Sequence, residues 1–208
     1  MLHLIKKDFL IQKKSIIFSL FIMVFFSFTL ESLGSAALAV SVLSICYMLV
    51  YGAGAQEDKT GSDRLLISLP IRKETIVLSK YVSVYVFAAY ALLINVLIRL
   101  AAHALQIPNF GYPITIEGIL GTVAAVTLIF SLSFPMIFKL GYQKSRMANF
   151  VILFAAAFGV TYLLQQFPNG EAPQMIAEYE TAFLVAGLAL LLVLSFCLSL
   201  YFYRNREF

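Results

Sequence analysis

Residues 77–100 read VLSKYVSVYVFAAYALLINVLIRL, an almost unbroken apolar run whose only charges, Lys80 and Arg99, lie toward its two ends. At about 1.5 Å per residue, a helix of this length crosses the roughly 30 Å hydrocarbon core of a bilayer. Outward from it lie five further apolar runs, at 16–30, 33–55, 116–138, 148–167 and 182–203. The first is short, spanning about 22 Å as a helix. Lys13 and Lys14 can snorkel and let the preceding turn enter the interface. The expected fold is all-α and integral to the membrane, with six transmembrane helices in a single domain over residues 1–208.

Composition supports this. The chain is 61% hydrophobic and only 12% charged, about half the charge of a soluble domain. A soluble core of this size does not hide so much apolar surface, whereas lipid accepts it. The net charge of +4 is concentrated in loops, which speaks against a nucleic-acid surface. Cys46 and Cys197 both lie inside apolar runs. They read as small apolar residues rather than a disulfide or zinc framework. Ala37-Leu38-Ala39 resembles a leader cleavage site but falls within the second apolar run, so the first run reads as a span.

Orientation follows from the basic residues. Lys6, Lys7, Lys13 and Lys14 precede the first span. Lys59, Arg64, Arg72, Lys73 and Lys80 lie between the second and third or at the start of the third. Lys139, Lys144 and Arg146 follow the fourth, and Arg204 and Arg206 end the chain. Of the 15 basic residues, only Arg99 falls on the other side. The positive-inside rule places the rich side, and with it both termini, in the cytoplasm. Glu31, Glu117, Glu171, Glu178 and Glu180 fall on the opposite, outer side.

Two cytoplasmic segments carry further information. In the N-terminal segment, Leu2, Ile5 and Phe9 recur at helical spacing with lysines between them, the pattern of an interfacial helix. It also serves as the basic lead-in to the first span. The longest loop, 56–80, holds a second amphipathic stretch. Ser62 can cap a helix with Asp63 in its first turn, and Leu65, Leu66, Ile67 and Leu69 follow. Pro70 stops that helix and suits the first turn of a new one that runs from Ile71 into the third span. The outer segment 168–180 reads as a loop or as short helices.

Chemistry is sparse. No Asp or Glu lies at the middle of an apolar run, although such groups mark membrane-embedded catalysis. His3 and His103 are not a ligand pair. No H-E-x-x-H, G-x-S-x-G or P-loop motif is present. The chain therefore reads as neither an enzyme nor an ATP-binding subunit. Arg99 and His103, four residues apart, share a helix face at the outer interface. Asn95, one turn deeper, is placed to hydrogen-bond between helices. Gly34, Ser35, Ala36, Ala37, Ala39, Ser41 and Ser44 permit close helix approach or a conduit wall. Pro135 is a kink candidate.

Three stretches carry a family resemblance. They are Leu4-Ile5-Lys6-Lys7-Asp8-Phe9, Phe134-Pro135-Met136-Ile137-Phe138-Lys139-Leu140-Gly141-Tyr142 with Gln143 to Arg146, and above all Gln56-Glu57-Asp58-Lys59 followed by Ser68-Leu69-Pro70-Ile71-Arg72-Lys73 and Ile76 to Tyr81. Together they resemble the small six-span permease subunits of bacterial type 2 ABC transporters, including exporters of phenol-soluble modulins and antimicrobial peptides. Arg72 stands where the family often has serine.

The resemblance implies a protein of the bacterial cytoplasmic membrane that pairs with a second permease copy or paralogue. It further implies a separate cytoplasmic ATP-binding cassette ATPase that holds the ATP and magnesium, leaving this chain without a cofactor. The loop after the second span would be the coupling helix, with Glu57, Asp58, Asp63, Arg64, Leu65, Leu66, Leu69, Pro70, Arg72 and Lys73 at the ATPase contact. The expected function is ATP-driven export of a hydrophobic or amphipathic cargo, in particular a peptide. The alternative is a non-transporting anchor, sensor or immunity subunit of an ATPase complex. The 19 Phe and 11 Tyr suit such a cargo and suit lipid equally.

Overall fold

A computed structural model describes residues 2–30, 35–60, 72–105, 114–142, 144–147, 149, 151 and 180–205. Every element among the described residues is helical. The order is α1 (Leu2–Ile11), α2 (Lys13–Thr29), α3 (Ser35–Thr60), α4 (Lys73–Ala104), α5 (Ile116–Leu140) and α6 (Glu180–Arg204). Four of these contain stretches long and apolar enough to cross a membrane: Ala37–Glu57, Lys73–Ala104, Gly118–Leu140 and Val185–Arg204. They match the second, third, fourth and sixth expected spans. The apolar part of α2, Ser15–Thr29, is shorter, in keeping with the short first run. The fifth expected span, 148–167, lies almost wholly outside the described residues, as does the outer segment 168–180 up to Glu180.

The chain divides into two units, 1–126 and 127–207, with α5 continuing from one into the other. In the first unit, α3 packs on α2 and α4, and α1 packs on both α3 and α4. The buried side of α3 carries Leu38, Val42, Ile45, Leu49 and Ala53, a spacing close to the helical repeat. Ala37 and Ser41, two of the small residues noted in the sequence, are fully buried on it. They serve close packing here.

α4 begins at Lys73, two residues beyond the expected Ile71, with extended Arg72 as its cap. Glu74 in its first turn and His103 in its last both suit the helix dipole. Helices α1 and α2 are separated by a single residue. Gln12 has φ −101° and ψ 20°, and its backbone amide reaches the Phe9 carbonyl at 3.3 Å. Its side chain leaves the α1–α2 joint and donates Nε2 to the Leu49 carbonyl on α3 at 2.6 Å.

In the second unit, the buried residues among the described side chains of α6 are Ser195, Ser199 and Tyr203, spaced four residues apart. Its other faces expose Val185, Leu190, Val193, Leu194, Leu198 and Tyr201. Two serines inside and large apolar groups outside is the reverse of a water-soluble helix, and it fits a helix solvated by lipid. On the buried stripe, the Tyr203 ring meets Phe138 edge-on at 5.5 Å. The Lys139 ammonium sits over the neighbouring Phe202 ring at 5.3 Å.

Pro135 lies inside α5 and has no N–H for the carbonyl four residues earlier. That carbonyl belongs to Ser131, and Ser195 of α6 takes it. The helix ends at Gly141, whose φ of 80° is a left-handed C-cap conformation that glycine adopts without a Cβ clash.

Candidate functional site: a buried charge cluster at the loop base

Segment 61–71, between α3 and α4, lies outside the described residues; the structure brings together four charges from the end of α3, the start of α4 and α1. Glu57 lies one turn before the end of α3, and Lys80 lies two turns into α4. Lys7 and Asp8 lie on α1. Glu57 is 1% exposed and Asp8 3%. Burial of carboxylates at this level requires partners within hydrogen-bond reach.

Lys80 supplies most of them. Its Nζ lies 2.8 Å from both Glu57 carboxylate oxygens and 3.2 and 3.1 Å from the two Asp8 oxygens. An ammonium has three protons, so these four contacts share donors. Lys7 donates to Glu57 Oε1 at 2.6 Å and lies 3.9 Å from Asp8. Two cations thus meet two anions drawn from three helices. Burial pushes the Asp8 carboxyl above its ordinary pKa, and the Lys80 ammonium beside it pulls the other way. The nearby Glu57 carboxylate adds to the upward push, so the ammonium contacts offset only part of the cost of desolvation. Glu57 also faces the unfavourable end of the α3 dipole, which the two ammonium groups offset.

Neutral contacts continue the seam between α1–α2 and α4. Phe9 stacks on Phe87 at 5.7 Å and meets Tyr90 edge-on at 5.4 Å. The Tyr90 hydroxyl approaches Ser19 Oγ and the Ile16 carbonyl, both at 3.4 Å. Asn95 Nδ2 reaches Met23 Sδ at 3.5 Å, the interhelical bond anticipated for that residue. α1 is therefore docked on protein along its buried side, whatever lipid it meets on the other.

Of the residues singled out in the sequence, Glu57 is in the cluster and Asp58 follows it in α3. Arg72 is exposed at the start of α4, and Lys73 is half-buried. Asp63, Arg64, Leu65, Leu66, Leu69 and Pro70 lie outside the described residues. Arg99 and His103 are exposed on one face of α4. Lys7, Asp8, Gln12 and Lys80 were not anticipated as a site. A signal was available, because Asp8 and Gln12 share a helix face with Ile5 and Phe9. An acid and an amide on the apolar stripe of an interfacial helix call for buried partners. Among the described residues, no three His, Cys, Asp or Glu side chains are grouped to hold a metal ion.

Comparison with known proteins adds one finding. The family model described as ABC-2 family transporter protein matches residues 3–204. No curated protein matches significantly.

Proposed function

This chain belongs to the ABC-2 family of transporter proteins, and on that premise we propose that it is the membrane-spanning permease subunit of an ATP-binding cassette exporter. ABC-2 permeases are membrane components that work with a cytoplasmic ATPase. In this reading the chain pairs with a second permease copy or a paralogue in a bacterial plasma membrane. It moves a hydrophobic or amphipathic peptide outward, and its partner binds and hydrolyses ATP. The observation that carries the reading is the family match along nearly the whole chain.

The layout of the first unit supports a mechanism. Loop 61–71 connects two long apolar helices whose near ends are joined by the Glu57–Lys80 ion pair. The leucines Leu65, Leu66 and Leu69 supply an apolar anchor for a groove in the ATPase, and Asp63, Arg64, Arg72 and Lys73 supply a charged rim. Glu57, buried one turn before the end of α3, steadies the helix that leads into this segment, and Asp58 adjoins it in sequence. A rigid-body shift of the ATPase then becomes a tilt of α3 and α4. ATP drives transport to the extent that it favours one of two permease states over the other.

The test is a pull-down of the tagged chain from mild detergent, followed by an ATPase assay on what accompanies it. A stoichiometric ATP-hydrolysing subunit supports the permease reading. Recovery of the chain alone, or with a partner lacking a nucleotide site, overturns it in favour of an anchor or sensor.

A further inference from the structure

We propose that the Lys7–Asp8–Glu57–Lys80 cluster is a latch that makes α1 a working part of the coupling path, fastening it to the two helices that carry loop 61–71. The proposal rests on the permease reading and extends it to a segment that otherwise reads as a passive interfacial helix.

Three observations converge. The first is position. The ionic contacts lie on the last turns of α3 and the first turns of α4, so any displacement of the loop base acts on the cluster directly. Through Asp8 and Lys7 it acts on α1, and through the single-residue joint at Gln12 it acts on α2. The second is completeness. Both carboxylates and both ammonium groups are engaged, two against two, so the cluster is a closed tie between helices rather than an open site for an ion.

The third is energetic. Phe9 on Phe87 and Tyr90, with Gln12 on Leu49, already supplies an apolar and a polar anchor for α1. Buried ion pairs add little net stability over apolar packing, because desolvation offsets attraction. What they do add is registry: a charge network accepts one arrangement of its partners and penalises slippage. A register-fixing tie between α1 and the loop base serves transmission of movement, where an interfacial helix held by lipid would need none.

The double replacement Lys7→Gln with Asp8→Asn isolates the tie. It removes one cation and one anion, cuts both ionic links to α1, and leaves the balanced Glu57–Lys80 pair beneath the loop. The variant is compared with the unaltered chain in complex with its co-purified ATPase, in vesicles of phosphatidylglycerol and phosphatidylethanolamine. Membrane level, ATPase stoichiometry and permease-dependent ATP turnover are measured. We expect the first two to be retained and the third to fall about fivefold or more, within the usual range of coupling between sites. Turnover within about twofold of the unaltered complex overturns the latch, since that lies below ordinary coupling. Loss of the chain from the membrane, in this variant and in Asp8→Asn alone, also overturns it and makes the cluster a folding element. If the unaltered chain brings down no ATPase, the permease reading fails first and the latch fails with it.

Discussion

Ser195 on α6 donates its hydroxyl to the Ser131 carbonyl on α5 at 2.5 Å, and Ser131 is the residue whose carbonyl Pro135 leaves without its helical N–H. Both serines are buried. In a hydrocarbon surrounding, an unpaired carbonyl has no water to turn to. Proline inside the last two turns of a candidate spanning helix is thus accommodated by a hydroxyl from its neighbour, and the same bond ties α6 to α5. Ser195→Ala should lower the stability of the chain in detergent by about 1–3 kcal/mol, the cost of a buried polar group left unmet. In a Pro135→Ala background, where residue 135 regains its N–H, the same change should cost less. Melting temperatures of the four chains in the cycle give the coupling. Additive losses would mean that the two sites are independent.

Gly141 closes the same helix. Its amide donates to the Ile137 carbonyl at 2.9 Å, and its φ of 80° disfavours any residue with a Cβ. Gly141→Ala should cost about 1 kcal/mol. Gly141→Asn should cost less, because asparagine tolerates the left-handed region better than alanine. Equal melting temperatures for both variants and the unaltered chain would show that the cap is not under conformational constraint.

The apolar runs made four of the helices legible, since a long stretch that is apolar all round has few alternatives to a buried or lipid-facing helix. Expected spans at 77–100, 116–138 and 182–203 fall within α4, α5 and α6, and the described part of 33–55 falls within α3. The break at Gln12 was not legible. Glutamine is a good helix former, and its bond to Leu49 on another helix is a tertiary contact that local propensity does not reveal. The charge cluster was not legible for a related reason. Lys80 and Asp8 are 72 residues apart in the chain, and loop counting treats Lys80 as a solvated charge and leaves Asp8 out. The Ser131–Ser195 bond joins residues 64 apart. Pro135 announced the need for a partner without naming it.

Within the cluster, Lys80→Met removes the cation that faces both carboxylates and leaves Lys7 alone against two. Breaking a buried pair in this way costs about 3–5 kcal/mol, so the variant should be lost from the membrane or melt far below the unaltered chain. Adding Asp8→Asn restores the balance, with Lys7 against Glu57, and should recover most of that loss. Lys80→Arg keeps the charge but changes a compact ammonium for a planar fork, and should fall between them. Quantitative blotting of membranes together with detergent melting separates the three. A double variant no more stable than Lys80→Met would mean that an unbalanced buried charge is not the source of the loss.

The loop itself carries the most direct prediction. Leu65, Leu66 and Leu69 are the apolar anchors proposed for the ATPase groove, and they are not proposed to hold the membrane helices together. Replacing all three with Asp places three charges against an apolar groove, a repulsive element that a docked helix cannot avoid. The chain should still reach the membrane at its normal level. It should release the ATPase during purification, and hydrolysis should fall to that of the free ATPase. The same triple replacement should leave the Glu57–Lys80 pair in place, so the stability of the chain alone in detergent should match the original. This separates the loop from the cluster, since the charge-balanced variant Lys7→Gln with Asp8→Asn is expected to keep the partner bound, whereas the loop variant removes the partner while the cluster remains intact. Normal ATPase retention by the triple variant would move the docking surface away from these leucines, to the charged rim at Arg72 and Lys73 or to another part of the chain.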